Sequence, residues 1–195
     1  MSTYLTNSEL LYKIYVNALK MLDLREIAHD KTLTYEQFEE AYIKKNKSIF
    51  IDLKTDVPAV LYIANSSSFG KVELEKVIKN KYDIKHFIFI IDKNNVDMIL
   101  TKTKNEYTNI KIDIMLYREF IINPIEHELA PIYHMIVGEE RKKIFDEYGK
   151  DNIAKMLRSD IVARWFDAQP GDLFKIIKKT GMSTAPYSLK YRIVI

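Results

Sequence analysis

Cysteine is absent from this 195-residue chain. That excludes disulfide frameworks, thiolate nucleophiles, iron–sulfur clusters and zinc ribbons, and leaves only histidine and carboxylates as metal ligands. Glycine and proline are scarce at five each, so little is available to build a phosphate cradle, and no Walker loop, Gly-x-Gly fingerprint or Gly-x-Ser-x-Gly elbow occurs. Long apolar runs are missing as well. The candidates near Phe87 to Ile91 and Ile112 to Met115 are interrupted by Asp92, Asp113 and Arg118, well short of the roughly 18 residues a membrane span needs. No membrane is expected as a partner. Met1-Ser2-Thr3-Tyr4 has neither the basic nor the apolar region of a secretory signal, so no export is expected. Charge is nearly balanced, 30 basic against 27 acidic residues for a net +3, which disfavours tight, independent binding of nucleic acid through a basic stripe.

What is present is the balance of a folded chain, 47% hydrophobic and 29% charged. Thr6-Asn7-Ser8-Glu9 reads as a capping box, followed by Leu11, Ile14, Tyr15, Ala18 and Leu22 at helical spacing. Thr34-Tyr35-Glu36-Gln37 repeats the device before Phe38, Ala41 and Tyr42. Residues 48–53 and 59–63 read as strands, and the Ser66 to Gly70 cluster ends the second. A helix from Val72 to Asn80 leads to a buried strand from His86 to Ile91; a polar helix from Val96 to Lys104 leads to an alternating strand from Ile110 to Ile114. Strand, helix, strand implies at least one parallel pair with helices laid on the sheet. Past Tyr117 the pattern predicts a helix from Glu139 to Tyr148 and a second one capped by Ser159-Asp160 that runs through Trp165-Phe166. Gln169-Pro170-Gly171-Asp172 fits a tight turn before a strand from Leu173 to Ile177 that pairs with Ser188 to Val194. The expected class is α+β: an N-terminal domain of helices on a mixed sheet over 1–117 and a compact C-terminal domain over 118–195.

Candidate chemistry is sparse. His127, between Glu126 and Glu128, and His134 are possible ligands, but seven residues with Pro131 between them fit no chelating pattern, so no metal is expected. Asp52-Leu53-Lys54 is half of the acidic-x-Lys set of metal-dependent nucleases, with Glu36, Glu39 and Glu40 upstream, and leaves a nuclease as one reading beside a polar strand edge. Lys44, Lys45 and Lys47, and the group from Lys76 to Lys85 with Lys79, Lys81, Tyr82 and His86, could touch a phosphate backbone or simply be solvated. Trp165-Phe166 beside Arg164 reads as either an interaction plate or core.

Several motifs occur in one order along the C-terminal part. Residues Asn123-Pro124-Ile125-Glu126-His127-Glu128-Leu129-Ala130-Pro131 resemble the Asn-Ile-Thr-x-His-Glu-Leu-Val-Pro signature of the fifth subunit common to the eukaryotic nuclear RNA polymerases and of its archaeal counterpart. Glu139-Glu140 through Tyr148-Gly149 is similar to that family's acidic-start helix. Ser159-Asp160-Ile161-Val162-Ala163-Arg164-Trp165-Phe166 is similar to its Ser-Asp-Pro-Val-Ala-Arg-Tyr-aromatic segment. Pro170-Gly171-Asp172-Leu173-Phe174-Lys175-Ile176-Ile177 and Tyr191-Arg192-Ile193-Val194 come next in family order. The chain departs from the family at Ile161, Asp167, Ile153 to Met156 and Lys178 to Tyr187. Before Tyr117 the likeness is one of layout only.

The resemblance implies a non-catalytic structural subunit of a DNA-directed RNA polymerase, with no cofactor and no small-molecule substrate. Its C-terminal domain would dock on the largest subunit beside neighbouring small subunits, and its N-terminal domain would form part of a jaw near downstream duplex DNA. It implies interface roles for His127, Glu128, Leu129, Pro131, Asp160, Arg164, Gly171, Lys175 and Arg192, an internal hydrogen bond being the alternative for each. Lys44, Lys45, Lys47, Lys79 and Lys81 would be the DNA-proximal set. A free-standing regulator that mimics the subunit would carry the same motifs. The lysine and isoleucine bias and the departures favour the version encoded by a large DNA virus, working in a nucleus, a cytoplasmic viral factory or a particle.

Overall fold

The computed structural model describes residues 7–30, 32–45, 47–64, 70–92, 106–127, 130–180 and 187–195. The expected helix over 96–104, Thr6 of the first capping box, the Ser66 to Phe69 cluster, Glu128, Leu129 and most of the loop between Lys178 and Tyr187 lie outside them. The chain is α+β and divides into two compact units, Met1–Ile122 and Asn123–Ile195.

Unit 1 begins with α1 (Asn7–Leu24), whose buried stripe Leu11, Ile14, Tyr15, Ala18 and Leu22 is the one the spacing predicts, joined by Asn17. A short α2 (Tyr35–Phe38) is capped by Thr34, whose hydroxyl accepts from the Gln37 amide at 3.4 Å while the Gln37 side chain accepts from the Thr34 amide at 3.1 Å. It runs on into a π-helical turn, Glu39–Ile43. Strands β1 (Ile49–Leu53), β2 (Ala59–Ile63), β3 (His86–Ile91) and β4 (Lys111–Leu116) pair in that order. β1 is antiparallel to β2, and β2, β3 and β4 are mutually parallel. Between β2 and β3 the chain returns through α3 (Lys71–Asn80), which sets Leu74 and Ile78 against Val60, Tyr62, Phe87, Phe89 and Ile114. The opposite face, Leu61, Ile63, Ile88 and Ile90, is equally buried, which explains why β2 and β3 read as unbroken apolar runs.

The first unit extends past the expected boundary at Tyr117 to Ile122. The reason is α4 (Arg118–Ile121): its Phe120 is fully buried, and the Phe120 carbonyl accepts a 2.6 Å hydrogen bond from the buried Asn17 amide on α1.

Unit 2 holds a second sheet in the order β5-β7-β8-β6. β5 (Ile132–Ile136) and β7 (Leu173–Lys179) are antiparallel, as are β7 and β8 (Tyr187–Val194); β6 (Ala154–Met156) is parallel to β8. β7 and β8 are the hairpin expected from sequence, whereas β5 and β6 are strands that the sequence pattern does not announce. One face is covered by α5 (Gly138–Tyr148), whose Ile144 packs with Ile136, Ile153, Leu173 and Ile193. The other face is covered by α6 (Ile161–Trp165), whose Val162 and Ala163 pack with Met156, Phe174, Ile176 and Val194. Trp165 is core, not an exposed plate, at 1% exposure. The tight turn is as expected: the Asp172 amide donates to the Gln169 carbonyl at 3.0 Å, and Gly171 sits at φ +97°, the region that favours glycine in the third place of a type II turn.

Candidate functional site

In unit 2 the residues singled out from sequence fall on several elements. The loop from Asn123 is built by an Asx turn, the Asn123 carboxamide oxygen accepting from the amides of Ile125 and Glu126 at 2.9 and 3.2 Å. His127 comes next, exposed, its carbonyl accepting from the Ala130 amide at 2.8 Å, and the half-buried Pro131 leads into β5. Asp160 is the N-cap of α6, accepting from the Val162 amide at 2.9 Å. Arg164 lies half-buried on that helix, and Arg192, exposed on β8, stands opposite Phe174.

Asp160 and Arg192 both act on Tyr133. Burial pushes its phenol up, the Asp160 charge pushes it further, and the Arg192 charge partly offsets both. Lys175 belongs to the other face, next to α5, with its ammonium 3.6 Å from Glu140. Gly171 shapes the turn and lies on neither face. The interface candidates therefore gather only in part: Asp160 and Arg192 around Tyr133 on the α6 side, and Lys175 across the sheet.

In unit 1 the two lysine groups enter opposite ends of the sheet. Lys44, Lys45 and Lys47 are exposed just before Ile49, which pairs with Ile63 at the far end of β2. Lys79 and Lys81 precede β3, whose first residue pairs with Ala59 at the near end. A strand length of about 15 Å separates those ends, so the two groups do not form one patch. Lys79 is exposed, whereas Lys81 is held 2.7 Å from Asp52 with its ammonium 5.4 Å from the centre of the Phe50 ring.

Asp52 thus spends its carboxylate on Lys81, and Lys54 faces Asp30 at 3.6 Å. Among the described residues no three His, Asp or Glu side chains converge as metal ligands. His86, read from sequence as a neighbour of phosphate, instead meets Asp113 at 2.8 Å between β3 and β4. Tyr117 donates its hydroxyl to the Ala64 carbonyl, and burial raises its phenol far above the ordinary value. Sequence reasoning missed Asn17, whose signal was a lone polar residue inside the apolar stripe of α1.

These side chains close turns, cap helices and pair across strands, and the class they define is a two-unit α+β protein. The family model of the RNA polymerase Rpb5 C-terminal domain matches residues 122–194, nearly the whole of unit 2. The chain is 35% identical over 72 residues to "DNA-directed RNA polymerase subunit Rpo5" of Methanosphaera stadtmanae, covering 36% of this chain and 91% of that relative. It is 31% identical over 86 residues to "DNA-directed RNA polymerases I, II, and III subunit RPABC1" of Caenorhabditis elegans, covering 43% and 40%. It is 27% identical over 109 residues to "DNA-directed RNA polymerase subunit 5" of Acanthamoeba polyphaga mimivirus, covering half of each. The chain belongs to the Rpb5 family of RNA polymerase subunits, as the ordered motifs indicated.

Proposed function

We propose that this protein is a structural, non-catalytic subunit of a multisubunit DNA-directed RNA polymerase. Unit 2 docks on the largest subunit and its small neighbours, and unit 1 forms part of a jaw beside downstream DNA. The observation that supports this best is the coincidence of the family match, 122–194, with a unit that folds on its own core, 123–195. Nucleotidyl transfer is left to other subunits. For the jaw, exposed Lys44, Lys45, Lys47 and Lys79 at two ends of a sheet suit weak, sequence-independent contacts that let the duplex slide. His127, Glu128, Leu129, Pro131, Asp160, Arg164, Gly171, Lys175 and Arg192 support the docking of unit 2, directly or by fixing its loops. Relatives in viruses favour a virally encoded enzyme acting in a nucleus or a cytoplasmic viral factory, with packaging into particles as a further expectation.

The test is affinity purification of the tagged protein from its native cells at high salt, with the co-purifying chains identified and the eluate assayed for DNA-templated RNA synthesis. Stoichiometric recovery with two very large subunits and activity is expected. Recovery of the protein alone, in excess over polymerase, would replace the subunit with a free-standing mimic. Mg²⁺-dependent DNA cleavage abolished by Asp52→Ala would revive the nuclease.

A further inference from the structure

The register of the second sheet sorts its side chains into rows. On the face that α5 covers, Ile136, Leu173 and Ile193 form one row, buried under Ile144. His134, Lys175 and Tyr191 form the next, at the margin of α5, where Lys175 reaches Glu140 and the Tyr191 ring lies 5.8 Å from that of Tyr148. Ile132, Ile177 and Leu189 form the third. Ile132 is 50% exposed and Leu189 52%, with Ile177 half-buried between them and Tyr187, 58% exposed, one step further along β8. Isolated surface aliphatics need no explanation. Three in register across adjacent strands form a contiguous patch of the kind that marks an interaction surface.

The charged strand residues on the face of that row have one sign. On that face β5, β7 and β8 carry Lys175 and Lys179 and no aspartate or glutamate, while Lys178, Lys190 and Arg192 stand on the opposite face. An occupant must therefore be apolar in the middle, to dry the three aliphatic side chains, and acidic at its rim, to meet the lysines. Nucleic acid supplies the second property without the first. Three strands span about 10 Å, a width that one helical turn or one short strand covers.

We propose that the row Ile132–Ile177–Leu189, with Tyr187 at its end, is the docking surface for an acidic amphipathic polypeptide segment of another polymerase subunit. This rests on the polymerase reading above and deepens it by naming the face and the chemistry of the partner. The face is the one on which Lys175 lies, and it is distinct from the surroundings of Asp160 and Arg192.

The experiment places a photoreactive phenylalanine analogue at Leu189 in the full-length tagged chain, purifies the complex from native cells, irradiates it and sequences the cross-linked peptides. The expected product is an Asp- and Glu-containing, partly apolar peptide of a co-purifying subunit, which the same analogue at the exposed Val57 of unit 1 does not capture. In parallel, Leu189→Asp, with wild-type thermal melting, lowers recovery of polymerase by roughly tenfold or more, and Leu189→Met retains it. Full recovery with Leu189→Asp, or cross-links only to DNA or to a second copy of this chain, overturns the surface while leaving the subunit reading in place. Failure of the wild-type protein to recover any polymerase overturns both.

Discussion

His86 and Asp113 face each other between two parallel strands, two positions out of register, with the His86 Nε2 2.8 Å from a carboxylate oxygen. Burial pushes the Asp113 carboxyl up, but the hydrogen bond from His86 and the charges of Lys111 and Arg25 more than offset it, and the group lies below its ordinary value of 3.8. The folded state then binds this proton less well than the unfolded chain does. The stabilisation is fully present above the ordinary value and is lost as pH falls from there through the lower folded value. Asp113→Asn is expected to cost about 1–2 kcal/mol at neutral pH, measured as the urea midpoint. The gap between variant and wild type should narrow as pH falls below 3.8 and close once the pH lies below the depressed folded value; a gap that does not depend on pH would show that the charge pair is not its source.

Asn17 is the buried amide that ties α1 to α4. Asn17→Ala leaves the Phe120 carbonyl without that donor in an apolar setting, and a loss of about 1–3 kcal/mol is expected. Thermal melting of the full chain, with hydrogen exchange to assign the change to unit 1, checks this. Unchanged protection of unit 1 would sink it.

Gly171 meets nothing within 4 Å of the position a Cβ would take, yet its φ is +97°. Gly171→Ala should therefore destabilise through backbone strain alone, by about 1 kcal/mol, and Gly171→Val by more. An equal effect of Ala and Val on the melting temperature would point away from the turn.

Asp160→Ala removes the cap of α6 and is expected to cost about 1 kcal/mol, whereas Asp160→Ser, which keeps an acceptor, is nearly neutral. Recovery of polymerase through the tagged variants separates capping from contact. If Ser restores stability but not recovery, the carboxylate itself touches a partner.

Long periodic or continuous apolar segments were legible from sequence: α1 through its stripe, β2 and β3 through unbroken runs, and the start of β7 through the Pro170-Gly171 turn before it. β5 was not, because a five-residue strand that comes after Pro131 and contains His134 has too little apolar alternation to read. β6 is three residues paired in parallel with β8, so nothing local marks it. The family was readable because its motifs are ordered along the chain. The open apolar row was not, since Ile132, Ile177 and Leu189 become neighbours only once three strands are in register.

The bond between Asn17 and Phe120 spans 103 residues and joins the first helix of unit 1 to its last. That unit is thus closed from within, its first and last helices held to each other by its own buried side chain. An archaeal relative 91% of which is spanned by a 72-residue match is barely longer than unit 2, so the likeness to it falls on the other closed unit alone.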